Sequence, residues 1–180
     1  MSKRSRRELV ARHLTYAGIG VSIAGPAPRN TTVFEAARLV GSGPNTWSLA
    51  RRALLDWEVK TRSGFAIEDA EFRSISTVRL GRFWLIARLG PLRIHEPIEV
   101  VSLFDESDRV GYAYGTLTGH PVTGEESFIV DRRSDGSVWL TIRSVTWPTV
   151  GPWRFATPVV HVAQGLYRRR YLRSLVHVSS

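Results

Sequence analysis

The chain has 180 residues, 43% hydrophobic and 23% charged, so it is long enough and apolar enough to enclose a core. It contains no cysteine, which excludes disulfides, thiolate nucleophiles and cysteine-type zinc sites and fits a cytoplasmic protein. Its net charge of +9 favours polyanionic partners, and no apolar run reaches the roughly 18 residues of a transmembrane helix. We therefore expect one domain over residues 1–180, in the cytoplasm and without a transmembrane segment.

Basic side chains are dense in the first residues, and we expect residues 1–12 to form a solvated basic tail. Residues 5–10, which read SRRELV, also resemble the start of a twin-arginine export signal. Arg12 and His13 interrupt the apolar stretch that such a signal requires. Both alternatives stay open at this point.

The first half of the chain predicts a strand and then a helix. A loop rich in proline and glycine at residues 24–30 precedes a predicted strand at residues 32–40. Apolar residues then recur at positions 47, 50, 54 and 57, which is the spacing of an amphipathic helix near residues 45–58. Ser42 or Asn45 is the expected N-cap of this helix.

From about Glu71 to Pro148 the pattern is one of short strands with tight turns. Predicted strands cover residues 82–89, 98–104, 110–117, 127–132 and 137–147. The Asp135-Gly136 step between the last two strands is a strong hairpin signal. Because no helical pattern separates these strands, they predict an antiparallel sheet.

Helical spacing returns between Trp153 and Val178, where an apolar stripe runs from Val159 to Val176 and Pro158 lies near the expected start. The whole pattern predicts an α+β fold. In this fold a curved antiparallel β-sheet wraps around a long C-terminal helix, with one shorter helix near residues 45–58. A sheet and helix in this arrangement enclose a cavity between them.

A dense polar motif, YGTLTGHPVTGEE, occupies Tyr114 to Glu126. Its three glycines allow backbone conformations closed to other residues, or the close approach of a ligand. His120 as a base, Glu125 as the carboxylate that orients its ring, and Tyr114 as a further polar contact fit acid–base catalysis. The same residue types also suit a tight, well-capped turn, so both interpretations stay open.

With its flanking residues, this motif resembles an uncharacterised family, domain of unknown function nineteen-ninety, which carries a YGTL, PGHP, GEE and F pattern. Residues 15–20 (TYAGIG), 39–43 (LVGSG) and 135–139 (DGSVW) fit the same family. The resemblance implies an order of elements similar to the helix-grip superfold of START-like and polyketide-cyclase-like proteins. Those proteins mostly hold apolar small molecules, so the resemblance implies the same kind of ligand here.

We therefore expect a protein that binds an apolar or amphipathic small molecule between the sheet and the C-terminal helix. Metal-free acid–base catalysis of a cyclase, isomerase or hydrolase type is the candidate activity. The residues predicted to be catalytic are His120, Glu125 and Tyr114. The residues predicted to bind ligand are Thr116, Glu126, Trp139, Trp147 and His161.

Two further features complete the expectation. His95, beside Glu96, is a candidate for the mouth of a cavity. Neither a metal site nor a cofactor is expected, because the sequence lacks metal-ligand spacings and a phosphate-binding glycine loop.

Arginines near the C-terminus support an alternative function. Arg168, Arg169, Arg170 and Arg173 form a cluster that could bind a polyanion or an acidic protein partner. In that case the protein is a non-catalytic interaction module. The sequence leaves the identity of the ligand, the reaction and the oligomeric state open.

Overall fold

The computed structural model describes residues 6–68, 81–89, 92–148, 153 and 157–176. The strands of this part of the chain are β1 Thr32–Ser42, β2 Phe65–Ile67, β3 Arg82–Leu89, β4 Leu92–Asp105, β5 Arg109–Thr116, β6 Thr123–Arg132 and β7 Ser137–Trp147. Its helices are α1 Arg6–Val10, α2 Gly43–Leu55, α3 Glu58–Thr61 and α4 Thr157–Arg173. The strands form one antiparallel sheet in the order β1-β7-β6-β5-β4-β3-β2.

This architecture confirms the predicted α+β fold of an antiparallel sheet with a long C-terminal helix. β3 and β7 have the predicted bounds, and the hairpin at Asp135-Gly136 joins β6 to β7 with Gly136 at a φ of 79°. β4 and β6 begin earlier than predicted, at Leu92 and Thr123. Charged residues near the start of each strand obscure the apolar pattern there, although the backbone pairing continues through them.

The helix predicted near residues 45–58 is present as two helices with a break between them. Trp57 takes a left-handed conformation with a φ of 61°, and its ring is buried against Phe83 and Tyr112. The free energy gained by burying this large ring offsets the cost of a left-handed backbone conformation in a residue other than glycine. Ser42 is the N-cap residue of α2, but its side chain makes no capping hydrogen bond.

The described part of the expected basic tail packs against the sheet. Leu9 in α1 is buried against Trp84 and Leu117. The guanidinium group of Arg82 donates to three carbonyl oxygens of this segment. Residues 6–12 are therefore a folded part of the protein. Leu9 packs on apolar side chains of the sheet, and Arg82 donates hydrogen bonds to the backbone carbonyls of this segment.

One face of the sheet is covered by α2, α3 and α4. Tyr167, Tyr171 and Leu175 of the C-terminal part are buried in the main core. Tyr167 packs on Phe65 with ring centroids 4.5 Å apart, and Tyr171 packs edge-on against Phe128 at 5.2 Å. Because side chains alternate across a strand, every second residue of the sheet points toward this face. None of the described helices is long and apolar enough to cross a membrane.

The N-terminal chain covers part of the opposite face. Leu14 forms an isolated bridge with Leu117, and the amide of Thr15 donates to the carbonyl of Thr116. The side chain of Ser127 donates to the carbonyl oxygen of Ser22 at 2.7 Å. Both faces of the central strands are thus buried, by helices on one side and by a loop on the other.

Candidate functional site

A cavity lies between the sheet and α4, with about 80 Å³ open to water-sized molecules. It has room for a few waters or a small organic group, which is less than the volume of a drug-sized ligand site. Polar and aromatic side chains dominate its described wall, which consists of Lys60, Phe65, Glu96, Tyr114, Thr116, His120, Val122, Gly124, Glu125, Glu126, Ser144, Thr146, Gln164, Tyr167, Arg168 and Tyr171.

Lys60 is the central charged group of this wall, and its side chain is only 1% exposed. Its Nζ lies 2.9 Å from Oε2 of Glu126 and 2.7 Å from the hydroxyl of Tyr171, and it also donates to the hydroxyl of Tyr114. These contacts use all three donors of an ammonium group. Nζ also lies 4.2 to 4.9 Å from the centroids of four aromatic rings, which adds cation–π attraction.

The positions of these groups follow from the chain turn and the strand register. The break at Trp57 starts α3, which places Lys60 over the sheet. Tyr114 and Glu126 are directly paired across β5 and β6, so their side chains lie on the same face. The hydroxyl of Tyr114 donates to Oε2 of Glu126.

Burial shifts the protonation equilibria of this cluster. It lowers the pKa of Lys60 from its ordinary value, although the nearby charge and hydrogen bond of Glu126 act in the opposite direction. Burial, together with the negative charge of Glu126, raises the pKa of Tyr114 and of Tyr171 well above the ordinary tyrosine value. Both tyrosines therefore act as neutral hydroxyl groups near neutral pH.

A second polar pair consists of Glu96 in β4 and His120 in the turn after β5. Oε2 of Glu96 lies 3.6 Å from Nε2 of His120. Among the described residues, Glu96 has no shorter polar contact. Nδ1 of His120 lies 2.9 Å from both the amide nitrogen and the carbonyl oxygen of Val122, and Nε2 is the ring nitrogen that faces Glu96.

Burial shifts the pKa of each member of this pair in the direction that favours its uncharged form. It raises the pKa of Glu96 to about 7, with Glu126 adding to the rise and Lys60 opposing it. It lowers the pKa of His120 to about 3, which the hydrogen bond with Val122 partly opposes. Glu96 is thus the group of this pair that exchanges its proton near neutral pH.

Glu125 does not orient His120, contrary to the expectation from the motif. Its carboxylate accepts four hydrogen bonds, from the hydroxyl of Tyr16 at 2.6 Å, the amide of Gly20 at 2.9 Å, and the amide and hydroxyl of Ser22 at 2.8 and 2.6 Å. Neighbouring residues of a strand point to opposite faces, so Glu126 faces the Lys60 cluster while the Glu125 carboxylate binds the N-terminal loop. The carboxylate that faces His120 is that of Glu96.

The other predicted site residues also divide between the cavity face and the opposite face of the sheet. Tyr114, Thr116 and Glu126 line the cavity, as does His120. Trp139 and Trp147 do not. Trp147 stacks on Tyr16 with centroids 5.1 Å apart, and the guanidinium of Arg133 covers Trp139 at 4.1 Å.

The strand period explains the placement of the two tryptophans. In β7 the even-numbered residues Ser144 and Thr146 reach the cavity, so the odd-numbered tryptophans point to the opposite face. His161 lies within α4, but its side chain is outside the described residues.

The C-terminal arginines do not form one uniform surface. Arg168 is half-buried in the cavity wall, where its Nη2 donates to the hydroxyl of Ser144 at 3.1 Å and its guanidinium lies 4.1 Å from the ring centroid of Phe34. Burial lowers the pKa of Arg168 from its ordinary value. Arg169 and Arg173 are exposed. Arg168 therefore lies in the cavity wall, whereas Arg169 and Arg173 face solvent.

Sequence reasoning missed Lys60 as a site residue and named Glu96 only as a neighbour of His95. A signal for Lys60 was available, because Lys3 and Lys60 are the only lysines among 25 basic residues. For Glu96 the signal was weaker. Glu96 lies within β4, and a charged residue inside a strand indicates a polar cavity only once the bounds of the strand are known.

These features define a class of protein, an α+β domain of helix-grip type with a polar cavity between its sheet and its C-terminal helix. Residues 15–174 match the family described as Domain of unknown function (DUF1990), and the chain belongs to this family. The match confirms the resemblance inferred from the YGTLTGHPVTGEE motif.

Several relatives support the assignment. A UPF0548 protein from Deinococcus radiodurans is 32% identical over 174 residues, which cover 92% of this chain and 87% of that protein. A UPF0548 protein from Arabidopsis thaliana is 31% identical over 118 residues, or 61% of this chain and 55% of that protein. A solved structure of a hypothetical protein from Helicobacter pylori is 13% identical, covers 88% of this chain and 92% of its own, and has a TM-score of 0.58. At that identity the likeness shows a shared fold alone.

Proposed function

We propose that the protein binds a small amphipathic molecule in the cavity and that Glu96 and His120 act on it as a metal-free acid–base pair. The observation that carries the proposal is the carboxyl group of Glu96. It faces a cavity, lies 3.6 Å from His120, and has no hydrogen bond among the described residues. The side chain is 16% exposed, so its carboxyl group can form a hydrogen bond with a ligand in the cavity.

The composition of the wall favours an amphipathic ligand over a purely apolar one. Phe65, Val122 and Tyr167 offer apolar or aromatic surface, whereas Lys60 and Arg168 offer positive charge. Because Glu126 balances the charge of Lys60, Arg168 supplies the net positive charge of the wall. The volume of about 80 Å³ suits a small polar head, so any larger apolar part would extend from the cavity.

Glu96 is suited to general acid–base work by its pKa of about 7. A carboxyl group with this pKa is present in both protonation states near neutral pH, so it can remove a proton and return it. His120 stays neutral there, because burial lowers its pKa to about 3. Its Nε2 faces Glu96 and, in the tautomer that carries the proton there, would stabilise the carboxylate that forms when Glu96 loses its proton.

Native mass spectrometry of protein purified from its source tests the proposal. The variant Gln164→Trp would fill the cavity from α4, and Arg169→Trp places the same ring on an exposed position of the same helix. We expect a co-purifying small molecule on the natural protein and on Arg169→Trp, and its loss from Gln164→Trp. If all three proteins carry the molecule equally, the ligand does not occupy this cavity and the proposal fails. The cytoplasmic location stays a prediction of the cysteine-free sequence.

A further inference from the structure

Lys60 is unusual in this chain because nearly all other basic residues are arginines. Of 25 basic residues only Lys3 and Lys60 are lysines, and Lys3 lies outside the described residues. Arginine cannot lose its proton in a protein, whereas a buried lysine shifts its pKa readily. The buried basic position of the cavity is thus occupied by the residue type that can become a nucleophile.

Burial favours loss of that proton, and Glu126 provides an acceptor for it although its charge stabilises the ammonium form. Four aromatic rings and 1% exposure remove water from the ammonium group, and burial lowers its pKa. Oε2 of Glu126, 2.9 Å away, is a direct acceptor for the proton. A desolvated lysine beside an acid–base group in a ligand cavity is the arrangement that amine nucleophiles require.

We propose that Lys60 forms an imine with a small aldehyde or ketone bound in the cavity. This inference rests on the proposed function, because the carbonyl compound would be the ligand of the same cavity. It names the class of ligand, a carbonyl compound small enough for the volume of about 80 Å³.

The covalent step balances without any further reactant. Lys60 transfers one proton to Glu126, and the nitrogen lone pair attacks the carbonyl carbon while the carbonyl π pair moves to oxygen. A proton then moves from nitrogen to this oxygen, which gives the neutral carbinolamine. The acid form of Glu126 protonates the hydroxyl, and water leaves as the nitrogen lone pair forms the C=N bond. The products are a protonated imine, one water and the original carboxylate.

Reductive trapping with acetaldehyde tests this step on the full chain. Sodium cyanoborohydride converts the imine into a stable secondary amine, and peptide mass spectrometry gives the rate at each amine. Because a lowered pKa raises the neutral fraction of a lysine, we expect Lys60 to be alkylated several-fold faster than Lys3 at pH 7. If Lys60 reacts no faster than Lys3, whose adduct shows that the reagents work, the proposal is overturned.

Two variants separate the imine from a structural role for Lys60. Lys60→Arg keeps the positive charge and should give no adduct in its peptide. Glu126→Gln keeps Lys60 but removes the acid that expels water from the carbinolamine, so alkylation of Lys60 should fall even though loss of the Glu126 charge favours the neutral amine, while alkylation of Lys3 is unchanged. An equal rate at Lys60 in Glu126→Gln would contradict the step through Glu126. A ligand that co-purifies without covalent attachment, combined with an unreactive Lys60, would overturn the imine and leave the proposed function standing.

Discussion

Removal of the Glu125 carboxylate should destabilise the fold far more than removal of an exposed glutamate. Glu125 is buried at 2% exposure and accepts four hydrogen bonds from Tyr16, Gly20 and Ser22. These bonds fasten the N-terminal loop to the sheet at β6. The change Glu125→Ala leaves two backbone amides and two hydroxyl groups without their acceptor in a region closed to water.

The magnitude follows from the number and type of these bonds. A hydrogen bond to a charged group contributes about 1.5–3 kcal/mol, but relaxation and water entry recover part of the sum. We therefore expect Glu125→Ala to lower the free energy of unfolding by about 3–5 kcal/mol. Glu125→Gln should cost about 1–3 kcal/mol, since its NH₂ group must face either the amide of Gly20 or that of Ser22, and neither can become an acceptor.

Urea unfolding of the full chain, followed by tryptophan fluorescence, measures these differences. Glu35→Ala is the matched control, because Glu35 lies in β1 with a 58% exposed side chain and a single contact to Arg143. It should change the free energy of unfolding by no more than about 0.5–1 kcal/mol. A cost below about 1 kcal/mol for Glu125→Ala would refute the structural role of the four hydrogen bonds.

Further predictions concern pH and glycine. Between pH 4.5 and 6.5, the ordinary values for Glu96 and His120, the folded protein holds a proton on Glu96 and the unfolded chain holds one on His120, so their effects cancel. In Glu96→Gln only the proton on His120 differs between the folded and unfolded states. Because the pKa of His120 is lower in the folded protein, this variant becomes less stable as the pH falls. Urea titrations at pH 5 and pH 6 measure this effect. From pH 5 to pH 6 the free energy of unfolding of Glu96→Gln should rise by about 1.4 kcal/mol more than that of the natural protein. His120→Gln should show the opposite slope, and equal slopes in all three proteins would contradict both pKa shifts. Gly124→Ala should cost about 3 kcal/mol in thermal unfolding, because its φ is 154° and a Cβ would lie 2.3 Å from the carbonyl oxygen of Val145. Gly136→Ala, at a φ of 79° with open space around it, should cost about 1–2 kcal/mol, and an equal cost at both sites would refute the steric argument.

Parts of the candidate site could be predicted and parts could not. Four residues that the motif predicted as site residues, Tyr114, Thr116, His120 and Glu126, line one cavity. The motif misassigned Glu125, because the choice between two adjacent glutamates depends on which strand face is the cavity face. That face is decided by α3 and α4, which lie far from the motif in sequence.

The sequence could not identify the carboxylate that faces His120 for a related reason. Glu96 belongs to β4 and reaches His120 only because β4 pairs with β5 just before the turn that carries the histidine. A local pattern can indicate that a histidine in a turn needs a carboxylate. It cannot select among several carboxylates without the strand order.

The amino-acid sequence by itself determined most of the strands, the C-terminal helix and the segment that contains part of the site. Those features depend on hydrophobic period, turn chemistry and a family motif, all of which act over short stretches of chain. Only the tertiary structure decided that Lys60, Glu96 and Arg168 share one cavity with Glu126. These residues come from α3, β4, α4 and β6, and their burial shifts the pKa values of Lys60, Glu96 and Arg168 only after the fold has excluded water from around them.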